Sequence, residues 1–276
     1  MSESETLALD MVEATQLSPS LAARLRELTP ARIALRRSGI SLATSEVLDF
    51  QLAHGRARDA VYAALQPATL LPALRKLANF DAILLHSAAA DRQTYLKRPD
   101  LGRKLSEASR KRLETFANPI CDLVIVLADG LSALAVERNA APLLAELLPA
   151  VRNSLPDLKL APICIAEQGR VAIGDEVAHL LSASLAIVLI GERPGLSSPD
   201  SLGAYITWQP QPGRTTDAER NCVSNIRAEG LSYAQAAARL LHYIREARER
   251  RQTGVTLKDP DEQKLTLDAA REGEPQ

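Results

Sequence analysis

The chain is expected to be α/β, a doubly wound, mostly parallel, Rossmann-like sheet preceded by a small N-terminal all-helical domain. Three observations predict this. From residue 121 to 190 apolar runs alternate with helical patterns as strand, helix, strand, helix, strand, and each run leaves through a polar, glycine-bearing exit. Hydrophobic residues make up 46% of the 276 and aromatics only 3%, so the core rests on Leu, Ala, Val and Ile, which suits helices on a sheet better than a β-sandwich. The first eighty residues, by contrast, carry helical periods.

In chain order, residues 1–17 are acidic and weakly periodic and are expected to form a mobile arm. The helical domain is placed at 18–96. Ser18-Pro19 and Thr29-Pro30 each pair a cap with proline at the first helical position, predicting two short helices that end near Gly39. From Thr44-Ser45-Glu46 onward, Val47, Leu48, Leu52, Val61 and Leu65 recur near helical spacing. The other face carries His54, Arg56, Arg58 and Asp59, either a solvated face or a partner surface. Leu70 to Leu77 completes the unit. Asp81 to Ser87 is an edge strand or a link into the next domain, and Asp100 is placed to cap a helix running towards Phe116, stopped by Asn118-Pro119.

The α/β domain is placed at 97–257. Asp122 to Leu127 is its first strand, ending in Asp129-Gly130-Leu131-Ser132 and followed by a helix through Leu143, Leu144, Leu147 and Leu148. Leu158 to Ile165 is the second, with the exit Glu167-Gln168-Gly169-Arg170-Val171 and a short helix for which Asp175 is the expected N-cap. Ala186 to Ile190 is an unbroken apolar run suited to a strand covered on both faces. It stops at Gly191-Glu192-Arg193-Pro194-Gly195. Ligands of open α/β sheets sit beyond the carboxyl ends of the strands, so Glu192 and Arg193 either face one or merely reverse the chain. A fourth strand follows at Ala204 to Trp208, and Thr216 or Asp217 caps a turn leading to Asn221 to Ile226. Ser232-Tyr233-Ala234-Gln235 is a capping box that opens a long helix to about Arg251. Residues 258–276 are charged and core-poor, an expected disordered tail.

Several function classes are disfavoured. With 33 Lys+Arg against 34 Asp+Glu, a formal net charge of −1, nothing global advertises nucleic acid or an anionic membrane. Cys121, Cys164 and Cys222 have no paired spacing, which argues against a disulfide framework and a zinc cluster. A reduced, cytoplasmic setting is expected, because no apolar run approaches the ~18 residues of a membrane span and the N-terminus lacks a basic start. Dinucleotide and phosphate-loop fingerprints are missing, and His54, His86, His179 and His242 have no i, i+4 partner for a metal pair. Ser132 is a helix cap or a hydroxyl offered to a ligand. What remains are three exits, around Gly169-Arg170-Val171, around Gly191-Glu192-Arg193-Pro194 and around Cys222. Glycine would let backbone approach a bulky ligand, Arg170 and Glu192 would bond polar amides, and Val171 would add apolar contact. The ordinary alternatives are a surface ion pair for Arg170, a small buried hydrophobe for Cys222 and a locally paired carboxylate for Glu192.

Six strings, RPDLGR, DGLSALAV, GRVAIGDEV, VLIGERPGL, SLGAYITW and NCVSNIR, run collinearly within residues 20 to 255 and resemble the small (light) subunit of ethanolamine ammonia-lyase. The resemblance implies a subunit of an adenosylcobalamin enzyme that converts ethanolamine to acetaldehyde and ammonia by a radical mechanism. It further implies that a TIM-barrel large subunit holds the substrate and catalytic residues, while the small subunit covers part of the cobalamin in a hetero-oligomer of several large–small pairs. The implied setting is the cytoplasm or a bacterial microcompartment within it. Cofactor contacts carried over by motif fall on Val171, Glu192 and Cys222, with Arg170 a further addition; no catalytic or metal-ligating residue is expected on this chain. No D-x-H-x-x-G string surrounds a histidine, so the cofactor is expected to keep its own lower base. The competing expectations are a stand-alone α/β enzyme for a phosphorylated or nucleotide substrate, with Arg170 and Arg193 as anion clamps, and a pure interaction module.

Overall fold

The computed structural model describes residues 19–29, 31–78, 82–116 and 121–258. The expected arm over 1–17 lies outside the described residues, as does the expected tail from 259 onward.

The described residues fall into two compact units, one running to Ala57 and including Gly195–Ser197, the other made of Arg58–Pro194 and Ser198 onward. The first is not all-helical. Helix α1, Pro19–Glu27, is followed by a small antiparallel pair, β1 (Arg37–Ser38) and β2 (Ser41–Leu42), turning at Gly39. The second short helix expected from Thr29 is absent among the described residues. Thr29 Oγ1 accepts the Ala31 N–H at 3.1 Å, and Ala34 takes a left-handed φ of 51° that a helix cannot hold. Arg26 satisfies the carbonyls of this irregular stretch, donating to Ile33 O at 3.1 Å and Ala34 O at 2.6 Å, and it reaches Glu46 at 3.2 Å. Helix α2, Thr44–Tyr62, begins where the sequence places it and leads into the second unit.

The second unit is a mixed α/β sandwich of helices on a sheet. Its elements are α3 (Pro67–Ala78), β3 (Ile83–His86), α4 (Arg92–Lys97), α5 (Glu107–Thr115), β4 (Leu123–Ala128), α6 (Ala133–Ser154), β5 (Cys164–Glu167), α7 (Ile173–Leu180), β6 (Leu185–Gly191), β7 (Leu202–Trp208), β8 (Arg220–Ile226) and α8 (Tyr233–Arg250). The sheet order is β3-β5-β4-β6-β7-β8. The first four strands are parallel, while β7 runs antiparallel to β6 and β8 antiparallel to β7. The reversal follows from the connections. Parallel strands need a crossover of a dozen or more residues, usually a helix, and the link between β6 and β7 has no helix. The stretch 221–226, read from sequence only as the sequel to a turn, is thus the edge strand β8.

Apolar side chains fill both faces. Leu123, Ile125, Leu127, Ile187 and Leu189 meet α3, α6 and α8 on one side. Val124, Val126, Ala186 and Val188 meet α5 and α7 on the other. Every residue of β4 and β6 is buried, as expected of strands covered on both faces.

Three local expectations need correction. The second parallel strand begins at Cys164, not near Leu158, because Pro162 has no N–H to give a ladder; before it only Leu160 bridges, to Leu123. Asp100 does not cap the helix ending at Thr115. It precedes a single 3₁₀ turn, Leu101–Arg103, and Ser106 caps α5 by accepting the Ser109 N–H at 3.2 Å. Asp175 is not an N-cap either. It lies buried inside the first turn of α7, which begins after Ala172.

Candidate functional site

The carboxyl ends of β5, β4 and β6 share one edge of the sheet, and Asp129, just past β4, ties two of them together. Its buried carboxylate accepts the N–H of Gln168 at 2.9 Å and of Gly169 at 2.9 Å. Arg92 stands 3.5 Å away and also donates to Gly130 O at 2.8 Å. Burial pushes the Asp129 carboxyl upward, while the Gln168 and Gly169 amides and the Arg92 charge oppose it. Ser132 is a helix cap: it accepts the Ala135 N–H at 3.3 Å, and its hydroxyl donates to Pro199 O at 2.8 Å.

Gly191 has a structural duty that the sequence reading gave to a ligand. A side chain there would run into the carbonyl of Ser132 and come within 2.7 Å of Asp129 O. The Leu131 N–H meanwhile donates to Gly191 O at 2.9 Å. The glycine therefore admits the β4 exit against the β6 exit.

Glu192, one residue on, is half-buried. Its Oε2 accepts the Ser201 hydroxyl and the Asn225 N–H, the latter at 3.3 Å. These partners lie before β7 and near the end of β8, so the carboxylate holds together the strand ends brought to this edge. Arg193, by contrast, is exposed.

Beyond β6 one face of the sheet opens. In register, Val188 lies beside Tyr205, and Tyr205 beside Cys222. Strand pleating places these three on one face, while Ala204, Ile206 and Val223 point into the opposite core under α6 and α8. On the open face Tyr205 is half-buried, and Cys222 and Ser224 are exposed. The Tyr205 hydroxyl donates to the Cys222 sulfur. Burial, then the neighbouring Cys222 and Glu192, raises the phenol well above its ordinary value, keeping it a donor at neutral pH. Protein packed around and beneath Cys222 raises its thiol, as does the Glu192 charge, so the sulfur stays protonated there although its side chain is reachable from solvent.

Arg220, two residues before Cys222 and on the same face, links this surface to α7. It donates to Asp175 Oδ1 at 2.8 Å, to Asp175 Oδ2 at 2.7 Å and to Thr207 Oγ1 at 2.9 Å. Burial works against the guanidinium, but Asp175 outweighs it and keeps Arg220 charged. Beside this pair lies a cleft of about 890 Å³ lined by Arg170, Val171, Asp175 and Arg220 among others. Arg193 is not among its lining residues.

The structure therefore brings Glu192 and Cys222 to one open surface around Tyr205, with Glu192 on the edge and Cys222 on the face. It places Val171 and Arg170 in a cleft joined to that surface through Arg220. Tyr205 was legible as one position of a strand, and Arg220 as a charge opening a run with buried members. Their pairing across the sheet was not. Among the described residues no cluster of three or more His, Cys, Asp or Glu side chains is suited to a metal ion, and no helix is long and apolar enough to cross a membrane.

A family model described as ethanolamine ammonia-lyase light chain (EutC) matches residues 20–258. The chain belongs to this family. Relatives named ethanolamine ammonia-lyase small subunit bear the assignment out. One from Pseudomonas paraeruginosa is 55% identical over 254 residues, covering 90% of this chain and 91% of the relative. One from Pseudomonas putida is 56% identical over 241 residues, covering 86% and 87%. One from Azotobacter vinelandii is 55% identical over 253 residues, covering 91% and 92%. The light-chain family match spans every element of the second unit, so the open β7–β8 face and its adjoining cleft lie wholly inside it.

Proposed function

We propose that this chain is the small subunit of an ethanolamine ammonia-lyase and that its open β7–β8 face covers part of adenosylcobalamin at the boundary with a TIM-barrel large subunit. The observation that carries this reading is the half-face of the sheet left open at Tyr205, Cys222 and Ser224, next to a carboxylate whose Oε2 is occupied by Ser201 and Asn225. A broad ligand rimmed with amide side chains suits such a surface. Glu192 Oε1 is the acceptor offered to an amide N–H, Cys222 gives a small, polarizable contact on the face, and Val171 and Arg170 add an apolar and a cationic contact from the neighbouring cleft. The Arg220–Asp175 pair holds the face and the cleft in one arrangement.

Bound adenosylcobalamin would supply the radical chemistry by which ethanolamine becomes acetaldehyde and ammonia. The role of this chain is to bind, orient and shield. Its thiol and phenol near the proposed contact are both protonated at neutral pH, so they offer uncharged contacts and no ready base. Catalytic groups are assigned to the large subunit.

The N-terminal arm and the helical unit are proposed as contacts to that partner, in an assembly of several large–small pairs in the cytoplasm or a microcompartment. Val47, Leu48, Phe50 and Leu52 are exposed on the first part of α2, more apolar surface than one helix usually leaves in water. The test is to purify this chain alone and with a co-expressed large subunit, add adenosylcobalamin, and assay acetaldehyde from ethanolamine. Turnover is expected of the pair only. Turnover by the lone chain, or none by the pair, would overturn the reading.

A further inference from the structure

The cleft beside Val171 carries an imbalance of charge that the contacts above leave unused. Four carboxylates line it, and each already has an arginine. Asp175 is held by Arg220, Glu176 by Arg110 at 2.8 Å, Asp100 by Arg98 at 2.7 Å, and Asp217 stands 3.5 Å from Arg220 Nε. Three cations on the same wall, Arg103, Lys104 and Arg170, have no side-chain hydrogen bond or ion pair among the described residues. Such a set is configured to receive an anion.

Arg170 is the member held most rigidly. Its backbone N–H donates to Gly102 O at 2.7 Å, and its guanidinium lies 4.5 Å from the centre of the Tyr95 ring. Its Nε is buried without a partner, a state that costs free energy unless a ligand supplies the acceptor. Gly102 makes the stacking feasible. A Cβ there would lie 2.8 Å from the Tyr95 ring and 3.0 Å from Arg170 Cγ, so the glycine of the RPDLGR string keeps room for the arginine stem. Arg103 and Lys104 follow at once and are exposed at the mouth.

We propose that this cleft is a phosphate subsite, in which Arg170, from the wall, and Arg103 and Lys104, from the rim, hold a phosphate group. A tetrahedral anion offers acceptors in several directions at once, as three donors from different backbone positions require, whereas a single carboxylate presents only two coplanar oxygens. The phosphate comes either from the diester in the nucleotide tail of the cofactor or from free phosphate. The first source rests on the cofactor reading above; the second does not.

The experiment uses the large–small complex, with wild-type chain, with Arg103→Gln/Lys104→Gln, and with Arg170→Gln. The double variant alters only exposed side chains, and co-elution with the large subunit checks assembly. One arm titrates adenosylcobinamide and adenosylcobinamide phosphate spectrophotometrically. The wild-type complex is expected to bind the phosphate-bearing corrinoid about tenfold tighter, the worth of a charge-assisted contact, and both variants are expected to erase that preference. The other arm titrates inorganic phosphate into the cofactor-free complex by calorimetry. Saturable binding that disappears in both variants, without corrinoid preference, leaves the subsite standing with free phosphate as its ligand. A complex that takes no corrinoid yet holds phosphate in this way counts against the cofactor reading and for the subsite. Absence of both corrinoid preference and variant-sensitive phosphate binding overturns the proposal.

Discussion

Arg220 of β8 and Asp175 of α7 form a two-pronged ion pair at 2.8 and 2.7 Å with both side chains 2% exposed. It joins the antiparallel edge of the sheet to the helix that follows Val171. Because β8 has partner strands on one side only, this pair is one of the few links that hold the edge strand in a fixed relation to the cleft.

Breaking one side of the pair strands a buried charge. Arg220→Met is expected to destabilise the second unit by about 3–5 kcal/mol, and Arg220→Met/Asp175→Leu by clearly less, because removing both partners leaves no uncompensated ion. Urea midpoints of the two variants, measured at equal m-value, check this.

Glu192 is expected to act as an acceptor held by Ser201 and Asn225. Glu192→Ala should weaken adenosylcobalamin binding by the large–small complex by about tenfold, as one charge-assisted hydrogen bond is worth. Ser201→Ala, which removes the hydroxyl that orients Oε2, should weaken it by a smaller factor in the same direction. Spectrophotometric titration of both variants tests the order. Ser201→Ala weakening binding more than Glu192→Ala would refute the orientation argument.

Cys222 is expected to be the first of the three thiols to alkylate in the folded chain. Cys121 and Cys164 are buried, and burial pushes Cys164 up to about 12. The sign of the pH dependence follows from the thiolate being the reactive form. Since the Cys222 pKa is raised, iodoacetamide labelling should be slow at pH 7 and still climbing above pH ~8.5, where an ordinary thiol levels off. Mass spectrometry of digests after timed labelling reports both site and rate, and a plateau by pH ~8 would contradict the environment described.

Much of the parallel half of the sheet was legible, because fully covered strands such as Val124 to Ala128 and Ala186 to Ile190 have no polar face to confuse with a helix. The antiparallel half was less so. Arg220 to Ile226 mixes buried Asn221 and Val223 with exposed Cys222, Ser224 and Asn225, so its alternation is broken and a turn was an equally good description. At the site, the exits at Glu192 and Gly169-Arg170-Val171 could be named from glycine and charge at strand ends. Their connections could not, since the Glu192–Ser201 and Arg220–Asp175 bonds form between segments that only the sheet order makes adjacent. Gly191 shows the reverse error: a glycine at a strand exit suggests ligand approach, but here the neighbouring backbone of Ser132 occupies the space.

The account stands most directly on a titration of adenosylcobalamin into the large–small complex assembled with wild-type chain and with Cys222→Trp. The indole would project from the open face beside Tyr205 without entering the core, so assembly should be unchanged. If this face covers the cofactor, affinity should fall by at least about tenfold, a loss of ~1.4 kcal/mol or more. Equal affinity in the two complexes would contradict the assignment of the cofactor to this face.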